Sequence, residues 1–150
     1  MKIFHGVDEL AGAVGAHLGY SEWHTITQAQ IDTFADATGD HQWIHVDPAK
    51  AALGPFGSTI AHGYLTLSLV PDLVGQVYRV EGVSMGVNYG ANKLRFPAPV
   101  PVDSTVRAGV ELLAVKPGGG GHLVTAQVTV EREGGDKPVC VVETVSLVVV

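Results

Sequence analysis

Residues 61–78 are apolar on nearly every side, and no other feature narrows the possible folds of this 150-residue chain so far. Ala61, Tyr64, Leu65, Leu67, Leu69, Val70, Leu73, Val74 and Val77 are spread around a helical circumference rather than along one stripe. A helix that is apolar all round has to be buried, so the rest of the chain must wrap it. Pro71 lies inside this stretch and predicts a kink, because proline removes one helical hydrogen bond and crowds the preceding turn.

The C-terminal half supplies the wrapping. Residues 83–96, 105–116, 121–132 and 138–150 are rich in Val and Thr and are bounded by Pro and Gly. In 121–132 the side chains alternate, with Val124, Ala126, Val128 and Val130 on one face and Thr125, Gln127, Thr129 and Glu131 on the other. That is the period of a half-buried strand. Gly118–Gly121 joins two such strands, which reads as a loose hairpin turn. A phosphate-binding loop would instead run from a strand into a helix. Helices, then a buried helix, then an antiparallel meander of four strands predict an α+β chain with one sheet around one long central helix.

Upstream, Leu10, Val14 and Leu18 are spaced for a short helix over 8–18, and 21–26 alternates weakly as a strand would. Thr27 is placed to cap a helix carrying Ile31, Phe34 and Ala35, and Gly39 to end it in the left-handed conformation. Residues 40–47 follow no regular period and read as a loop, before a short helix over Pro48–Leu53.

Hydrophobic residues make up 46% of the chain against 16% charged, which calls for a large core or for apolar surface covered in an oligomer. With 9 basic and 15 acidic residues the net charge is -6, so the basic face that nucleic acid requires is missing. Cys140 is the only cysteine, excludes an intrachain disulfide and sits in a Val-rich run suited to a buried, inert thiol. No apolar run approaches the ~18 residues of a membrane span. The first residues lack a basic start followed by an apolar stretch, so no membrane partner and a cytoplasmic location are expected.

Chemistry-bearing residues are densest in Thr38-Gly39-Asp40-His41-Gln42-Trp43-Ile44-His45-Val46-Asp47-Pro48. If the loop curls, the Asp40 carboxylate and His45 imidazole can face one site, hold one water and move protons in both directions. The alternative is that Asp40 only turns the chain and His45 is a satisfied structural histidine. His41 and His45 have the spacing of a helical zinc motif, but the glutamate that should follow the first histidine is Gln42, and Gly39-Asp40 break the helix. No metal site is therefore expected. Gly63 opens the apolar helix, where free N–H groups and partial positive charge can bind a carbonyl oxygen as it gains charge. Tight helix packing would explain Gly63 equally well, and His62 and the amides before it are the next candidate donors. Lys93 and Arg95, two apart on a strand, share a face and can meet phosphates or simply be solvated.

These segments resemble a known family. Thr38-Gly39-Asp40 with His45 is similar to the hydratase 2 motif of MaoC-like dehydratases and R-specific enoyl-CoA hydratases. Gly39–His45 with Asp47-Pro48 looks most like their nodulation protein N-like branch. Ala61-His62-Gly63 with Leu65-Thr66, and Arg95-Phe96 with Pro97, Pro101 and Asp103, resemble two further family segments, so the likeness spans residues 20–150. Gln42 and Trp43 depart from the usual asparagine and proline, which bears on loop shape and substrate range.

The resemblance implies a single hotdog domain over 1–150, at least dimeric. It implies reversible, metal-independent hydration of a trans-2-enoyl thioester to the R-3-hydroxyacyl product. Coenzyme A or an acyl carrier would be part of the substrate, with no other cofactor. Asp40 and His45 take the catalytic positions, Gly63 that of the oxyanion amide, and Ser68 that of the serine supporting Asp40. A hotdog thioesterase and a non-catalytic thioester-binding module are the rival readings, and the paired Asp40 and His45 argue against a mere binder.

Overall fold

In the computed structural model, which describes residues 1–150, Thr27 caps a helix as its position predicts: its Oγ1 accepts from the Gln30 N–H at 3.2 Å. That helix, Gln28–Thr38, is the second of five, after Val7–Gly12 (α1); with it as α2, the others are Trp43–Val46 (α3), Pro48–Ala52 (α4) and Gly63–Val77 (α5). Gly39 ends α2 at φ 83, with its N–H bonded to the Ala35 carbonyl. The strands are Lys2–Phe4 (β1), His17–Tyr20 (β2), His24–Thr25 (β3), Tyr78–Val80 (β4), Met85–Arg95 (β5), Thr105–Gly118 (β6), Gly121–Arg132 (β7) and Cys140–Val149 (β8).

The main sheet runs β2-β6-β7-β8-β5, with β3 also on β6; β1 and β4 form a small parallel pair beside it. The α+β class holds, and α5 packs against the sheet as the central helix. The simple four-strand meander does not hold. Only β6, β7 and β8 follow one another, while β5 lies at the far edge on β8. The chain from β5 to β6 crosses through a segment carrying Pro97, Pro99 and Pro101. It pairs there with residues 59–61, through Ala61 N–H to Val100 O and Val102 N–H to Thr59 O.

The alternation in β7 is as expected, with Val124, Ala126, Val128 and Val130 all buried. Its turn is tight rather than loose: Gly118 pairs with Gly121, leaving Gly119 and Gly120 at φ 63 and 86. A two-residue hairpin that needs positive φ at both positions suits glycine and strains other residues.

Two helical expectations are corrected. The helix over 8–18 stops at Gly12, and Leu18 is instead a buried residue of β2. Gly15 at φ 92 lies between the two elements and turns the chain. α5 buries Leu65, Thr66, Val70, Leu73 and Val77 but leaves Tyr64, Ser68 and Pro71 exposed, so one side of this apolar helix is uncovered in the single chain. A cluster of 22 buried residues joins α5, α2 and the sheet, so helices and strands share one core. Cys140 is fully buried in it, and burial pushes its thiol up to about 11.

Candidate active site

Gly39 turns the chain out of α2, and Asp40 comes next, exposed, with its carboxylate near the Gln42 N–H at 3.4 Å. His41 leaves the site, because its Nε2 meets the Asp36 carboxylate at 2.9 Å, a bond that raises its pKa. This separates it from His45 and removes the zinc-type pairing.

Residues 43–46 form the helical turn α3 rather than an open loop, and His45 within it is only 6% exposed. Its Nδ1 lies 2.7 Å from the Ile60 carbonyl. A carbonyl can only accept, so the proton is on Nδ1 and the lone pair on Nε2. Burial is the main force holding this imidazole below the usual histidine range; the bond to Ile60 opposes it, the neighbouring His62 adds to it and Asp40 opposes it. His45 is therefore both a satisfied structural residue and a free base.

The second wall is the run 59–63. Ile60 N–H donates to the Ile44 carbonyl at 3.0 Å, lacing this run to α3. Gln28 ties both to α2: its Nε2 donates to the His45 carbonyl at 2.7 Å and its Oε1 accepts from Thr59 at 2.6 Å. His62 donates from Nε2 to the Asp40 carbonyl at 2.9 Å, and its ring stacks on His45 at 3.8 Å between centroids. The loop thus folds back over the start of α5. Nitrogen or oxygen atoms of Asp40, His45 and His62 lie within 4.8 Å of one another. Such a set could hold a divalent ion, for which zinc would need the three atoms to converge at about 2.0–2.1 Å.

Gly63 is the first residue of α5, no side chain caps the helix, and no backbone acceptor takes its N–H. The amide is free at the positive end of a 15-residue helix. A Cβ on Gly63 would stand 2.9 Å from two ring carbons of Phe96, so any larger residue there would have to push that ring aside.

Other expected residues are not drawn in. Ser68 Oγ donates to the Tyr64 carbonyl at 2.7 Å, and no hydrogen bond joins it to Asp40. The reason is local: a serine inside a helix reaches the carbonyl four residues back more readily than a separate loop. Lys93 and Arg95 are exposed on β5 and unpaired with any carboxylate; Lys93 stands opposite Glu143, which accepts from Asn92 instead. A cavity of about 510 Å³ lies between α5 and strands β5, β7 and β8, walled by Leu67, Val70, Val74, Tyr78, Val124 and Val142 among others. Sequence reasoning underweighted His62 and missed Gln28. The one available signal for His62 was its place directly before Gly63.

Residues 9–134 match the family described as MaoC like domain. The chain is 56% identical to 3-hydroxyacyl-thioester dehydratase Z of Mycobacterium tuberculosis, covering 97% of each protein. It is 42% identical to nodulation protein N of Rhizobium leguminosarum bv. viciae, over 93% of this chain and 89% of the relative. Among solved structures, the (R)-hydratase from A. caviae involved in PHA biosynthesis superposes with a TM-score of 0.73 at 29% identity, covering 89% of this chain and 95% of the other.

Proposed function

This chain belongs to the MaoC-like domain family, among whose named members are a 3-hydroxyacyl-thioester dehydratase and an (R)-specific enoyl-CoA hydratase, and from that premise we propose that it is an R-specific enoyl-CoA hydratase. It reversibly adds water to trans-2-enoyl thioesters to give R-3-hydroxyacyl thioesters. The observation that carries this reading is the Asp40 carboxylate and the His45 imidazole within 4.8 Å of each other, beside the start of a helix whose first amide is free.

In this mechanism Asp40 and His45 hold one water. His45 Nε2, whose lone pair is kept free by the bond at Nδ1, takes a proton from the water as its oxygen attacks C3. The electron pair of the double bond moves toward the thioester, and the Gly63 amide stabilises the charge gathering on the carbonyl oxygen. C2 then receives a proton from the same pair, so no net proton is gained or lost. Ser68 lines the cavity beside α5 in this scheme. Lys93 and Arg95 are offered as contacts for the phosphates of coenzyme A, which enters only as part of the substrate. Residues 1–150 act as one domain.

A homodimer completes the proposal. β5 is an edge strand with Met85, Val87 and Tyr89 exposed, and natural proteins cover such edges. A monomer in light scattering at micromolar concentration would count against it. No helix is long and apolar enough to cross a membrane.

The decisive experiment follows enoyl absorbance across a series of enoyl-CoA chain lengths, with chiral analysis of the product and a thiol assay. Loss of absorbance without free thiol, giving the R product, is expected. Release of thiol identifies a thioesterase, and binding without turnover a non-catalytic module.

A further inference from the structure

We propose that His62 is the positioning residue of the Asp40–His45 pair: its Nε2–H fixes the main chain at residue 40 while its ring face fixes the plane of His45. The inference rests on the reading of that pair as the catalytic dyad and goes beyond it.

His62 sits where three elements meet. The Phe34 ring of α2 lies 4.9 Å away at 58°, and the His45 ring of α3 lies 3.8 Å away at 23°. The residue itself opens the approach to α5 and is 3% exposed. Its donor reaches the backbone carbonyl of Asp40 rather than the carboxylate. That choice holds residue 40 in place and leaves the carboxylate, with only the Gln42 N–H at 3.4 Å on one oxygen, open to water.

A second observation separates this from plain packing. Nδ1 of His62 is buried and has no hydrogen-bond partner. A buried polar atom without a partner carries a desolvation penalty, so a ring serving only to fill space would be more stable as phenylalanine. The imidazole is needed for what its other nitrogen and its face do. The titratable groups facing His45 are Asp40, from the turn after α2, and His62, from the start of α5; the Ile60 carbonyl holds its Nδ1. Of the two, His62 is the one that favours the unprotonated ring of His45.

Two variants split the roles. His62→Phe keeps a ring against His45 and loses the donor. His62→Gln places an amide N–H near the position of Nε2 and loses the ring. Each is compared with wild type for kcat and KM on crotonyl-CoA, for thermal unfolding, and for the titration midpoint of His45 by nitrogen-15 NMR of histidine-labelled protein. Small misplacements at a catalytic pair cost up to about 100-fold. His62→Phe is therefore expected to lose about 10- to 100-fold in kcat with KM little changed, and His62→Gln to recover part of that loss. The His45 midpoint is expected to rise in both, since the second imidazole is gone. Unchanged kcat with an unmoved midpoint, and only the melting temperature altered, makes His62 a packing residue and overturns the proposal. If wild type fails to hydrate the substrate, the hydratase reading falls, and the NMR midpoints still decide whether His62 controls His45. If His62→Phe does not fold, His62→Gln carries the same comparison.

Discussion

Truncating His45 to alanine removes a proton acceptor and a structural bond at once, and a second substitution tells them apart. The Nδ1–H to Ile60 carbonyl bond is 2.7 Å long, and Ile60 is 8% exposed, so alanine leaves a buried carbonyl without its side-chain donor. That costs about 1–3 kcal/mol. The stacked contact with His62 adds about 0.5–1.5 kcal/mol. A total near 3 kcal/mol lowers the melting temperature of a chain this size by roughly 6–12 °C. Asparagine places an amide N–H where Nδ1 stood, keeps the bond to Ile60 and should cost only about 1 kcal/mol. Neither side chain titrates as imidazole does, so both variants should lose about 100-fold or more in hydration of an enoyl thioester. Thermal unfolding by circular dichroism gives one axis and loss of enoyl absorbance the other. If His45→Asn unfolds as early as His45→Ala, the Ile60 bond is not what stabilises this region. If either variant keeps about a tenth of wild-type turnover or more, His45 is not the proton-transfer group.

Asp40→Asn should lose about 100-fold or more in turnover with little change in melting temperature, since the carboxylate is exposed and its nearest donor is 3.4 Å away. A large stability loss without an activity loss would reverse its role. The acid limb of kcat/KM should lie below 6.5, the ordinary histidine value, because burial lowers the pKa of His45 and the unprotonated base persists until pH falls through that depressed value. A limb at or above 6.5 contradicts His45 as the base. Activity should survive prolonged chelation; stoichiometric zinc with loss of activity on its removal would make Asp40, His45 and His62 a metal site.

Local chemistry was legible in the sequence, and long-range placement was not. Thr27 and Gly39 mark the ends of α2 because a cap and a left-handed turn depend on neighbours within a few residues. The β7 alternation is equally local. The helix read over 8–18 failed because Leu18 keeps helical spacing with Leu10 while Gly12 and Gly15 lie between them, and pairing of β2 with β6 outweighs that period. The crossing of β5 to β8 could not be seen, since register between distant strands leaves no spacing signal. At the site, Asp40, His45 and Gly63 could be picked out by residue type and resemblance. Ser68 could not be judged, because a helical serine has its own backbone as a competing acceptor. His62 gains its meaning only from Phe34, His45 and the Asp40 carbonyl, which tertiary structure alone brings together.

The two-glycine hairpin between β6 and β7 also bears on the order in which the molecule assembles. Closing it aligns Gly118 with Gly121 and lets pairing run by near neighbours to Val106 and Arg132, with β8 following on β7. β2 must instead find β6, and β5 must find β8, across long loops whose closure entropy is paid before any contact forms. The run 59–61 pairs with Val100 and Val102, in the connection leading into β6, and the His45 ring hangs on Ile60. The kinetic expectation is that a folding chain holds its β6–β8 sheet before Asp40 and His45 have met.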